Sequence, residues 1–385
     1  MSEYGQSVGV IDRAVDRALA EKRLVGAVVL VAQGGEIIYR RAAGMADREA
    51  GKPMACNTLF RLASVSKPIV STAALALMAQ GGMQLDDPIT RWLPNFCPRL
   101  ADGTLPLITL RHLMTHTAGL SYRFFQPEGG FYAQLGISDG MDEASVSLQE
   151  NVRRIACAPL LAPPGAEWRY SIATDVLGAA IEQASGLPLA QAVKKWVTRP
   201  LAMTDTDFLA ADPARLAASY ADHPGEPRRL HQPDHLPFFA GSAGFHLSPA
   251  RALDPQAYAS GGAGMVGSAE DFLRLLETLR QGGGQVLSPD WVTAFTSNQI
   301  GDLPMPFWPG RGFGLGITVL KDPVAAQTPE SVGTWRMGGT YGHSWFVDPT
   351  RQLSVVAFTN TALEGMSGAF VGEICQAVYA ATGGM

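Results

Sequence analysis

The chain has 385 residues, room for two domains at roughly 150 residues each or for one large body with a long insertion. Hydrophobic residues make up 46% and charged residues 17%, with a net charge of −5; this excludes a disordered chain and argues against a basic nucleic-acid face. The 42 glycines and 26 prolines are spread along the whole chain, so they mark turns rather than a collagen-like or linker segment.

Residues Met1 to Val10 carry no basic cluster followed by an apolar core, so no signal peptide is expected. The longest apolar run, Val25 to Ala32, is too short for a bilayer, so no membrane partner is expected. Cys56, Cys97, Cys157 and Cys375 form no C-x-x-C pair, which predicts reduced thiols in a cytoplasmic protein without disulfides or structural zinc.

Ile11, Ala14, Val15, Ala18 and Leu19 fall at helical spacing, and the predicted amphipathic helix needs a surface to lie on. Gly26 to Ala32, the turn Gln33-Gly34-Gly35 and Glu36 to Ala42 supply one as a β-hairpin. Near the other end, Gly312 to Leu320, Gly342 to Asp348 and Leu353 to Asn360 read as strands, and Val371 to Ala381 as a closing helix. Both ends then build one antiparallel sheet covered by helices. The middle is helical over Val70 to Ala79, Leu148 to Cys157, Ala173 to Ala184 and Leu189 to Val197, while Ala211 to Tyr258 reads as a long loop region. The expected fold is α+β: a discontinuous sheet domain from residues 1–70 and 251–385, with an inserted helical domain at 71–250.

Chemistry concentrates in Ser64-Val65-Ser66-Lys67-Pro68. Proline is tolerated only in the first turn of a helix, so the helix through Val70 to Ala79 should begin close to Ser64. Three residues then bring the Ser64 hydroxyl and the Lys67 amine to one face, where a desolvated lysine can take the proton of a serine nucleophile. Ser66 cannot use its neighbour in this way. Taken alone, S-x-x-K also suits a capped helix followed by a solvated lysine. Proline within His231-Gln232-Pro233-Asp234-His235 prevents the helical spacing of zinc peptidases, so no metal is expected. Gly312-Phe313-Gly314-Leu315-Gly316 lacks the G-x-G-x-x-G spacing, so no nucleotide cofactor is expected, and no G-x-S-x-G elbow occurs anywhere.

Further segments extend the pattern in order: Leu113-Met114-Thr115-His116-Thr117-Ala118-Gly119-Leu120, Pro163-Pro164-Gly165-Ala166-Glu167-Trp168-Arg169-Tyr170-Ser171, the glycine-rich turn Ser260 to Asp271, and Met337-Gly338-Gly339-Thr340. With the S-x-x-K these resemble the serine β-lactamase-like superfamily. The resemblance implies Ser64 as nucleophile, Lys67 and Tyr170 sharing its proton, and an oxyanion hole from the backbone N–H groups of Ser64 and Thr340. Two departures select among activities: Met337 stands where penicillin-recognising enzymes carry a cation, and Ile172 where the Tyr-x-Asn motif has its amide. Arg336 is next door to Met337 but should face the other side of the strand. This altered set resembles the family VIII carboxylesterases.

Gly338 and Gly339 are expected to let substrate approach bare backbone, and Met337 and Ile172 to line the pocket. The aromatics Tyr122, Phe125 and Phe131 fit either an apolar wall for the acyl or alcohol group or local packing, with Trp345 and Trp308 as further pocket candidates; His343 is expected to be structural. The resemblance thus implies a serine carboxylesterase acting on neutral esters with short to medium acyl chains, without cofactor, with transfer to an alcohol or amine as a second activity. A β-lactamase or D-alanyl peptidase and a catalytically silent binding protein are the alternatives. Both a monomer and a homo-oligomer are compatible with the sequence.

Overall fold

A computed structural model describes residues 3–143 and 145–383. Helix α1 (Glu3–Ala20) leads into the hairpin β1 (Gly26–Gln33) and β2 (Glu36–Asp47), then β3 (Lys52–Pro53) and β4 (Leu59–Arg61). The middle of the chain contributes the longer helices α2 (Ser66–Ala79), α3 (Leu148–Cys157) and α4 (Ala173–Ser185). The return runs through β5 (Val266–Ser268) and α5 (Ala269–Arg280) to β6 (Arg311–Phe313), β7 (Thr318–Leu320), β8 (Trp335–Gly339), β9 (His343–Asp348) and β10 (Leu353–Thr359), and ends in α6 (Ala369–Thr382).

The two ends meet in one eight-stranded sheet of order β6-β7-β8-β9-β10-β1-β2-β3. Its pairs are antiparallel; β1 sits against β10 with Val28 opposite Phe358 and Leu30 opposite Val356. Strand β1 is buried on both faces, which explains its unbroken apolar run. Val28, Leu30 and Ala32 enter the interior shared with the middle helices, whereas Ala27, Val29 and Val31 pack under α1 and α6. That shared interior is continuous from the sheet to α2 and α4. A separate two-stranded ladder pairs β4 with β5, Phe60 opposite Gly267. It ties the segment that precedes Ser64 to the returning chain.

Two sequence expectations need correction. Gly312 to Leu320 is a hairpin, β6 and β7, rather than one strand. It reverses before Gly316, whose φ is +115° and where a Cβ would lie 2.3 Å from the Ser71 hydroxyl of α2. The tract from Ala211 to Tyr258 holds two short ladders, Tyr220–Ala221 with Arg228–Arg229 and Asp234–Leu236 with Phe245–Leu247. Strands of two or three residues are too short to set up a readable period. No helix among the described residues is long and apolar enough to cross a membrane.

Candidate active site

Strand β4 runs into a tight turn, Ala63–Val65, and α2 begins at Ser66. Ser64 therefore stands in the turn just ahead of the α-helix rather than inside its first turn. Ala63 has φ +46°, a left-handed conformation that costs a non-glycine residue of order 1 kcal/mol. This strained step presents Ser64 partly exposed, while Lys67 is fully buried beneath it. The Lys67 Nζ lies 3.1 Å from the Ser64 Oγ and donates to the Gly262 carbonyl at 2.8 Å. Burial brings the amine down from 10.5 to about 7, opposed by the carboxylates of Asp175 and Asp139. Ser66 is also buried, but its hydroxyl accepts the Met265 N–H at 3.1 Å and is committed to holding the glycine-rich turn.

Tyr170 enters from the stretch before α4, with the Lys67 Nζ 4.6 Å from its ring centre. Burial raises the phenol above its ordinary 10, and a hydrogen bond with Ser64 works in the opposite direction. The segment Leu113 to Leu120 clamps this stretch. The His116 carbonyl accepts the Arg169 N–H at 2.8 Å, its Nδ1 accepts the Ser171 N–H at 3.1 Å, and its ring lies 4.9 Å from the Tyr170 ring. An acceptor Nδ1 places the proton of a neutral imidazole on Nε2, and burial together with the nearby Lys67 pushes His116 well below its usual value. Gly119 is required here because a Cβ would lie 2.0 Å from the Ala162 carbonyl.

Across from Ser64, strand β8 alternates as the sequence predicts. Trp335 and Met337 face the shared interior, while Arg336 turns to the other face and pairs with buried Glu330 at 2.9 Å. Arg336 therefore does not stand in for a cation at Met337. The glycines next to it are closely packed against the protein itself. A Cβ on Gly339 would lie 2.5 Å from the Leu62 carbonyl, and one on Gly338 would lie 2.8 Å from the His343 carbonyl and 3.1 Å from Met366. Bare backbone here lets β8 close on the nucleophile turn and on its neighbours in the fold. Thr340 follows in the tight turn to β9, and neither its N–H nor that of Ser64 is taken up by a hydrogen bond among the described residues. His343 donates Nε2–H to the Arg61 carbonyl at 2.7 Å and burial lowers it to about 4, so it is a neutral anchor between β9 and β4.

The structure divides the expected pocket residues. Phe125 lies at the mouth, edge-on to Tyr170 at 6.5 Å and stacked on exposed Phe307 at 5.7 Å. Trp308 stands edge-on to Tyr170 at 5.9 Å. Phe238 and Phe239, between the two strands of the Asp234–Leu247 ladder, complete this rim. Phe131 is 53% exposed on a short helical turn and makes no ring contact with the rim among the described residues. Ile172 is fully buried at the start of α4 and Trp345 is sealed between Phe272 and Trp335, so both are core residues and not pocket walls. Tyr122 is likewise buried; its ring centre lies 5.2 Å from the Lys67 Nζ, so it walls the amine and not the solvent-facing cleft. A cleft of about 500 Å³ beside Arg111, Thr115 and Gln299 is lined by none of Ser64, Lys67 and Tyr170.

Sequence reasoning did not single out the Gly262 carbonyl or Asp175. The glycine-rich turn was visible, but a backbone acceptor carries no side-chain signature, and a lone aspartate in a helical stretch resembles a solvated one.

An amine lowered by burial and set against a serine hydroxyl, under an antiparallel sheet and beside helices, is a serine acyl-transfer architecture. The chain belongs to the β-lactamase family, whose model matches residues 11–371. Among its relatives, esterase EstB of Burkholderia gladioli is 52% identical over 371 residues, covering 96% of this chain and 94% of that one. The solved structure of EstCE1, described as a hydrolase with promiscuous acyltransferase activity, superimposes with a TM-score of 0.96 at 48% identity, over 98% of this chain and all of that one. Monacolin J acid methylbutanoyltransferase of Aspergillus terreus is more distant, 27% identical over 391 residues that cover 91% of this chain and 90% of that one.

Proposed function

We propose that this enzyme is a serine carboxylesterase that forms an acyl-enzyme on Ser64 from neutral esters with short to medium acyl chains. The observation that carries the reading is the Lys67 Nζ, buried, 3.1 Å from the Ser64 hydroxyl and lowered to about 7. The two candidate bases share a buried environment that shifts them in opposite directions: burial lowers the Lys67 amine and raises the Tyr170 phenol, so both are held toward their neutral forms. Lys67 is therefore the proton acceptor. Tyr170 is the proton donor to the leaving alkoxide.

In the acylation step the Ser64 Oγ bonds to the ester carbonyl carbon as its proton moves to Lys67. The oxyanion forms between the free N–H groups of Ser64 and Thr340. Collapse breaks the bond to the alkoxide, which takes a proton from Tyr170, and Tyr170 recovers one from Lys67. Water then repeats the sequence on the acyl-enzyme. The apolar rim of Phe125, Phe307 and Trp308 supports a further reading, in which an alcohol or amine replaces water. Met337 in place of a cation, with Arg336 turned to Glu330, favours uncharged esters over β-lactams and D-alanyl peptides. A cytoplasmic location is part of the same reading, supported by four free cysteines.

Ser64→Ala should abolish hydrolysis of p-nitrophenyl butyrate and labelling by a fluorophosphonate. Normal turnover by that variant would refute the mechanism, and absence of labelling in the unaltered protein would favour a silent binding protein. Nitrocefin turnover rivalling that of simple esters would instead favour a β-lactamase.

A further inference from the structure

Behind Lys67 lies a buried polar cluster that neither acylation nor deacylation, as written, uses. Asp175, on the first turn of α4, is 1% exposed, and its carboxylate accepts the Gly262 N–H at 2.7 Å, the Ser260 hydroxyl at 2.8 Å and the Tyr258 hydroxyl at 3.0 Å. All three donors are neutral. A carboxylate taken out of water is costly unless a cation answers it, and here Lys67 faces it across the glycine turn. The connection between them is continuous. Lys67 donates to the Gly262 carbonyl at 2.8 Å; the N–H of that same peptide unit, on Ala263, donates to the Ser260 Oγ at 3.1 Å; and Ser260 donates to Asp175.

Glycines hold this chain of bonds closed. A Cβ on Gly261 would lie 2.7 Å from the Thr174 carbonyl, one on Gly262 would lie 2.9 Å from the Tyr122 hydroxyl, and one on Gly140 would lie 2.0 Å from the Ser260 Oγ. The turn is therefore pressed onto α4 and onto Lys67 at once.

We propose that Asp175 and Ser260 are positioning residues for the acyl-transfer reaction, polarising the Gly262–Ala263 peptide so that its carbonyl holds the Lys67 amine with one N–H fixed and the lone pair directed at Ser64. No proton travels along the chain; each bond strengthens the next by polarisation. The carboxylate also favours the ammonium form, opposing the desolvation that favours the amine. The other groups facing Lys67 are Asp139, Tyr122, Tyr170 and His116, and all remain when Asp175 is altered. The proposal rests on Lys67 acting as the base.

The test is the pH profile of kcat/KM for p-nitrophenyl butyrate in Asp175→Asn, Ser260→Ala, the double variant and Lys67→Ala, with thermal unfolding of each. Removing the carboxylate's charge should move the acid limb to lower pH by about half a unit to one unit. In both single variants kcat should fall roughly tenfold with KM within about twofold, and the double variant should lose little more than either single, because the two residues act as one unit. Ser260→Ala keeps the other two hydrogen bonds of Asp175, so it still tests the relay if Asp175→Asn does not fold. An unmoved acid limb in Asp175→Asn, a kcat within about twofold of the unaltered enzyme in Ser260→Ala, or additive losses that track unfolding temperature would overturn the relay. Wild-type turnover in Lys67→Ala would instead overturn the reading of Lys67 as base.

Discussion

Replacing Gly339 with alanine tests the link between backbone packing and rate. A Cβ there would sit 2.5 Å from the Leu62 carbonyl and 3.2 Å from both Val65 and the His343 ring, contacts that surround it on the nucleophile side. Real contacts of this kind do not fall below 3.0 Å, so β8 must retreat from the Ser64 turn by about half an ångström. A donor set at 2.7 to 3.1 Å from the oxyanion is carried to about 3.2 to 3.6 Å, at or past the limit of a hydrogen bond, by such a step. Thr340 is the next residue, so its N–H moves with the strand. Loss of one such donor lowers kcat about a hundredfold or more, while overpacking costs about 1–3 kcal/mol of stability and lowers the unfolding temperature by a few degrees. Gly338→Ala serves as the comparison: its Cβ meets the His343 carbonyl and the flexible Met366. It should destabilise the fold with a much smaller loss of kcat. Steady-state kinetics on p-nitrophenyl butyrate and calorimetry measure both. Folded Gly339→Ala protein with kcat within twofold of the unaltered enzyme would refute the reasoning.

Because the base must be unprotonated and burial brings Lys67 to about 7, kcat/KM should rise about tenfold per pH unit below 7 and level off above it. A flat profile between pH 5 and 8, or a limb near 10, would contradict the assignment. At the mouth, Phe125→Ala and Phe307→Ala each remove one ring of the stacked pair 5.7 Å apart. A lost aromatic contact of about 1 kcal/mol predicts a KM for phenylacetate esters raised about fivefold, with kcat within about twofold. An unchanged KM would place the rim outside the substrate path.

Much of this site was legible because its parts are local. The spacing of Ser64 and Lys67 brings their side chains together within one turn, and strand alternation turns Arg336 away from Met337, without reference to the rest of the chain. The sheet was legible from β1 and β10, whose apolar runs are long enough to show that both of their faces are covered. The short strands of the 211–258 tract were not, and neither was the reversal within Gly312 to Leu320, where Gly316 takes a positive φ and leaves no room for a side chain beside Ser71.

The sequence by itself determined the antiparallel sheet built from both ends and the one-turn spacing of Ser64 and Lys67, since these follow from periodicity and spacing; the roles proposed for the pair and the reading of Met337 as a missing cation rest on the resemblance to β-lactamases. Only the tertiary structure decided which aromatics border the site, placing Phe125 at the mouth while sealing Trp345 and Ile172 in the core. It also decided the surroundings of Lys67, the proposed base. Desolvation, the Gly262 carbonyl and the Asp175 carboxylate reach that amine from segments about a hundred residues or more away in sequence, and pKa depends on surroundings rather than on spacing along the chain.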